Sequence, residues 1–138
     1  KITLPKNYVV GATGDLIGGE AELNFLNDKV AETEELIKAG GPLMNKAGLA
    51  NLSFPASAIE TKTLHYHQDN VHDFAWFADK RFHVLKGEVA LPVSGRKVTT
   101  WAMFTNAEFS LWEKAIEYLN DATFYYSKWT GEYPYNHV

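Results

Sequence analysis

The spacing of hydrophobic and polar positions changes period along this chain, and each change predicts an element. The runs "KITL" and "NYVVGAT" read as two short strands joined by a turn at Pro5-Lys6-Asn7, where proline presets φ and asparagine tolerates tight geometry. Between Gly18 and Gly41 acidic residues accumulate: Glu20, Glu22, Asp28, Glu32, Glu34 and Glu35. Within the same stretch Val30, Thr33, Leu36 and Ile37 keep helical spacing. A short surface helix is predicted, capped at its start by Asn27 or Asp28 and ended by Gly40-Gly41. Residues 42–58 show neither period and read as a long loop.

From Thr61 the pattern is that of strands. "TKTLHYHQ" alternates, "DFAWFA" is a continuous apolar run, and "RFHVLKGEVALP" and "KVTTWAMF" follow after turn signals, with Ser94-Gly95 the best hairpin turn. The short links leave no room for crossover helices, so the strands should be mainly antiparallel.

The period then changes from 2 to 3.6. "TNAEFSLWEKAIEYLNDATFYYSKWTG" opens on Thr105 with Glu108 three residues later, a capping-box signature, and Gly131 sits where a terminating glycine belongs. Phe109, Trp112, Ile116, Leu119, Thr123 and Tyr126 form one stripe, widened by Ala115, Ala122 and Trp129. A stripe so broad and aromatic must pack on something. The fold class expected is therefore α+β: a mainly antiparallel, β-rich body with one short helix and a long C-terminal amphipathic helix. The change of period near Phe104 to Asn106 is the one plausible domain boundary.

Composition narrows the chemistry. The 138 residues carry a net charge of -4, which gives no general attraction to phosphate backbones, so no nucleic-acid partner is expected. There is no cysteine, hence no disulfide frame, thiolate nucleophile or thiolate metal site. No apolar run approaches the roughly 20 residues of a membrane span.

Two motifs invite a sharper reading. "YVVGATGDLIGG" resembles a phosphate loop, but Gly18 falls one residue late for the glycine spacing of a dinucleotide fold. "GEAELNF" does not look like the helix that should follow, so the glycines are read as providing φ > 0 at a strand end. Four of the five histidines fall in one segment: His65, His67, His72 and His83. His65 and His67 share a strand face, as two metal ligands could, with Asp69 and Asp73 nearby as oxygen donors. No HExxH or cysteine frame supports the pair. The wet face of a strand is the simpler account, with Leu64 and Tyr66 facing inward. His72 and Asp73 could pair, but no positioned nucleophile completes a triad. Phe74, Trp76 and Phe77 are assigned to the core. A sugar site is set aside because the four tryptophans and seven tyrosines are scattered through elements that must bury them.

Taken together, "ITLPKNYVVGATGDL", "NVHDFAWFAD" and "YYSKWTGEYPY" resemble a bacterial branch of the aminopeptidase N family, the gluzincin zinc metallopeptidases. The likeness spans nearly the whole chain, and "VHDFAW" is its most specific block. It implies that residues 1–104 are the later part of a β-rich N-terminal domain and residues 105–138 carry the first helix of a thermolysin-like catalytic domain. The family's G-x-M-E-N-like stretch and its H-E-x-x-H with a later glutamate are not in this sequence, where no histidine precedes a glutamate.

The expectation is thus a non-catalytic fragment of a zinc-dependent peptidase acting at peptide N-termini. No catalytic, substrate-binding or metal residue is assignable here. Zinc and peptide substrates belong to the parent enzyme, and export to the periplasm or cell surface is suggested by the resemblance alone. Without the catalytic body, the aromatic stripe should be bared and promote self-association. The rival is a self-contained β-rich binding module without enzymatic activity.

Overall fold

A computed structural model describes residues 1–43 and 54–138. Along the chain lie β1 (Ile2–Pro5), β2 (Val9–Ala12), β3 (Asp15–Leu16), α1 (Glu20–Lys38), β4 (Thr61–Leu64), β5 (Tyr66–His67), β6 (Trp76–Asp79), β7 (His83–Ala90), β8 (Lys97–Phe104), α2 (Phe109–Trp112) and α3 (Ala115–Thr130). The class is α+β, and the paired strands are antiparallel. Of the loop predicted over 42–58, residues 44–53 lie outside the described residues; the flanking positions are neither helix nor strand.

The turn at Pro5-Lys6-Asn7 forms, with the Tyr8 amide donating to the Pro5 carbonyl at 3.2 Å, yet β1 and β2 do not pair with each other. β1 pairs with β4, β2 with β6 and β3 with β5, so the first 16 residues are zipped onto a segment some fifty to seventy residues later. That arrangement buries Ile2, Leu4, Val10 and Leu64 in one cluster. Only β7 and β8 form a sequential hairpin, joined through Ser94 and Gly95 as their turn chemistry predicts.

The β7–β8 hairpin is the centre of the molecule, and its period of two decides what each face does. Leu85, Gly87 and Val89 share a face with Ala102, Thr100 and Val98, their cross-strand partners. α3 packs on this face. A Cβ at Gly87 would lie 2.3 Å from Ile116 Cγ2, so only glycine lets the helix come this close. Thr100 Oγ1 donates to Asn120 Oδ1 at 2.8 Å, and Asn120 Nδ2 reaches the Glu88 carbonyl at 3.3 Å. The opposite face presents Val84, Lys86, Thr99, Trp101 and Met103.

α1 starts seven residues before the predicted Asn27 cap. "GEAELNF" is its first two turns, with Glu20 and Glu22 placed favourably at the positive end of the helix dipole. The buried line is Glu22, Leu26 and Thr33. Glu22, the first of them, is an acid, which hid the start of the helix from an apolar pattern. Glu22 is paired with Lys62, while Thr33 Oγ1 accepts the Val84 amide at 3.0 Å and ties α1 to β7. The predicted stop holds: the Gly40 and Gly41 amides donate to Ile37 and Leu36.

The single C-terminal helix expected from Glu108 to Trp129 is interrupted. Thr105 Oγ1 and the Thr105 amide both donate to Glu108 Oε2 at 2.6 and 3.2 Å, but they close a turn ahead of the helix: α2 begins at Phe109, with Glu108 at its N-cap and no side-chain capping bond. After α2, however, the backbone leaves the helix at Lys114 (φ -105°, ψ 12°). In one continuous helix Phe109 and Ala115 would point about 120° apart. The break lets both enter the cluster of Leu85, Ala102 and Phe104. That cluster is continuous across residue 104.

The stripe assignment also changes. The inner face of α3 is Ala115, Ile116, Leu119, Thr123 and Ser127, whereas Trp112, Ala122, Tyr126 and Trp129 are exposed. The helix seats its small and hydroxyl side chains on the hairpin because Gly87 and Thr100 allow close approach, and its aromatic side faces outward.

Candidate binding cleft

On the opposite face of the β7–β8 hairpin Val84 is buried against Leu26 of α1, while Lys86, Thr99, Trp101 and Met103 form the floor of a cleft of about 710 Å³. One wall is the glycine-rich stretch. Gly11 pairs with Phe77 across β2 and β6, and a Cβ at Gly11 would sit 2.4 Å from the Phe77 ring, so this glycine makes room for an aromatic wall. Gly14 has φ +98° and bends the chain out of β2 into β3, as the sequence predicts for a glycine at a strand end. The bend presents Asp15 at the rim.

Although followed by a helix, this stretch is not a phosphate cradle. The Thr13 and Ile17 amides are spent on the Ala75 and His65 carbonyls at 2.9 and 2.8 Å. Glu20 and Glu22 also put acids in the first turn of α1, which disfavours a phosphate at that helix end.

The facing wall is the C-terminal tail, which runs parallel to β8 with Thr99 opposite His137. The Thr99 amide donates to the Asn136 carbonyl, the Val138 amide to Thr99 and the Trp101 amide to Val138. Arg96 clamps the turn that leads there, its guanidinium donating to the Tyr133 and Tyr135 carbonyls. Glu132 accepts the Ser94 and Val93 amides at 2.8 and 2.7 Å, bonds that hold its carboxyl below the usual range.

The two walls meet where Asp15 Oδ2 accepts Asn136 Nδ2 at 2.8 Å and Asp15 Oδ1 lies 3.3 Å from His137 Nδ1. The Tyr135 hydroxyl donates to the Asn70 carbonyl at 2.6 Å, joining the tail to the loop before β6.

Inside, the lining is mostly apolar: Val10, Leu16, Phe77, Trp101 and Met103 among others. The polar groups are few. Lys86 lies 5.0 Å above the Trp101 ring, its partner across the hairpin. Tyr66 has its phenol pushed up to about 12, chiefly by burial and then by the Glu22 charge. A concave apolar site with a few oriented polar groups is the general form of a ligand or side-chain receptor.

The histidines divide differently from the sequence grouping. His65 and His67 stand on the wet side of their strands, with Leu64 buried and Tyr66 half-buried, as predicted. His67 pairs with Asp69 at 3.3 Å. His72 and Asp73 are exposed. His83 is elsewhere, its Nε2 2.5 Å from Asn106 Oδ1 and its ring edge-on to Phe109. Among the described residues, no three His, Asp or Glu side chains converge as a metal-binding group.

Phe74, Trp76 and Phe77, assigned to the core by their apolar run, are instead about half exposed at 48, 53 and 54%. Among the described residues β6 pairs with β2 alone, which leaves its other edge without a strand. The residues that pattern reading missed are Asp15, Lys86, Trp101 and His137. The fifth histidine, outside the cluster, is the one brought to the cleft. The aromatic density of "YPYNHV" beside it was the available signal.

No family model, curated protein or solved structure matches this chain. Among the described residues no helix is long and apolar enough to cross a membrane.

Proposed function

We propose that this chain is a non-catalytic scaffold segment of a zinc-dependent metallopeptidase of the aminopeptidase N type, and that its cleft forms part of the wall around the peptide-binding space. One observation supports the reading. The three separated blocks that resemble the family, in the glycine stretch, "NVHDFAWFAD" and "GEYPY", all contribute residues to this one cleft. Zinc and its ligands belong to chain outside these residues, and peptides are the substrates of the whole enzyme.

The test is to purify the polypeptide encoded by the intact reading frame and compare it with the 138-residue chain. The reading expects one zinc per full polypeptide and chelator-sensitive release of N-terminal residues. It expects no turnover from the isolated chain. An intact polypeptide without H-E-x-x-H, or hydrolysis by the isolated chain, overturns it.

The alternative, a self-contained binding module, draws on the same cleft, whose floor and both walls come from one chain. It predicts that the isolated chain binds a ligand whose affinity falls on Trp101→Ala.

A further inference from the structure

We propose that α3 docks against α3 of a second copy of this chain in an antiparallel, two-fold-symmetric pair. About a third of a turn round α3 from the face seated on the hairpin, Tyr118, Ala122, Tyr125 and Trp129 recur at spacings of four, three and four. That is the seam spacing of a two-stranded helix pair. All four are exposed, the three aromatics at 60, 46 and 71%. Tyr125 and Trp129 already stack on each other with ring centroids 5.5 Å apart, so part of the surface is ordered before any partner arrives.

The seam is complementary to its own reverse. In an antiparallel pair each Ala122 faces the partner's Tyr125, and each Tyr118 faces the partner's Trp129, so small side chains meet large ones in both inner layers. Asp121 and Lys128, both exposed, flank the seam on one side. The same alignment sets Asp121 beside the partner's Lys128, twice by symmetry. A parallel pair would stack Ala122 on Ala122, leaving a gap, and would bring neither charge to its opposite. Self-complementarity of this kind is what a closed two-fold interface requires, and it favours a second copy over an unrelated helix. The inference does not depend on the peptidase reading, because its readout is mass rather than zinc or turnover.

The test is light scattering and sedimentation of the purified chain across a concentration series. The expected mass rises from 15.5 kDa to twice that value. Ala122→Arg, at an exposed position, should keep circular dichroism unchanged and leave a monomer at every concentration. Asp121→Lys and Lys128→Asp should each weaken the dimer by about fivefold or more. The double variant should regain the wild-type association, because the pairs are re-formed with signs exchanged. A wild-type chain that is monomeric at its solubility limit, an Ala122→Arg variant that still associates, or a double variant no better than the singles overturns the proposal.

Discussion

Lys62 of β4 reaches across to α1 and donates to both carboxylate oxygens of Glu22, at 2.8 and 2.7 Å. The side chains are 14% and 4% exposed, and the Lys62 ammonium also lies 4.2 Å above the Phe25 ring. The pair fastens the helix to the strands that zip up the N-terminus. Lys62→Met should leave a buried carboxylate without its partner and destabilise the fold by about 3 kcal/mol, read as a shift of the urea midpoint. Replacing both residues by apolar side chains should recover most of that loss.

Thr33→Val tests the second tie between α1 and the sheet. The shape is kept, but the Val84 amide loses the hydroxyl oxygen it donates to in the interior. The expected loss is about 1–3 kcal/mol, with faster exchange of the Val84 amide proton.

Alkaline pH should act through Tyr66. Burial holds its folded-state pKa at about 12, above the ordinary phenol value of 10.0, so the folded state keeps the proton more tightly than the unfolded chain. The contribution is present in full below pH 10 and is lost as the pH rises to about 12. Two units correspond to roughly 2.7 kcal/mol, and partial solvent screening reduces this to about 1–2 kcal/mol. Tyr66→Phe should flatten that part of the stability profile, and a spectroscopic tyrosinate titration should lose its highest step.

Arg96→Ala should loosen the wall formed by the tail, since both carbonyls gripped by the guanidinium belong to residues 133 and 135. Amide exchange at Thr99, Trp101 and Val138 should accelerate roughly tenfold, equivalent to about 1.4 kcal/mol, while the β7–β8 ladder stays protected.

The elements whose buried side chains are apolar and regularly spaced were legible in the sequence: β7, β8, their turn and the end of α1 at Gly40-Gly41. Where polar residues do the packing, legibility failed. Glu22 concealed the start of α1, and Asn120 and Ser127 concealed which side of α3 faces inward. The partners of β1, β2 and β3 lie some fifty to seventy residues away, a pairing that no local period encodes. The cleft escaped for the same reason. Asp15 and His137 stand at opposite ends of the chain and meet only after both walls have formed.

The hairpin gives the even-numbered positions of β8 to the α3 side and turns Thr99, Trp101 and Met103 toward the cleft. Trp101 and Met103 also pack on the buried Val9, Leu26 and Val84, so Thr99, Trp101 and Met103 can be varied together where apolar volume is kept at the last two, while Val98, Thr100, Ala102 and Phe104 hold the body. A library confined to those three sites would sample new binding preferences on a constant framework. In evolutionary terms, the strand lets recognition drift without eroding the architecture that carries it.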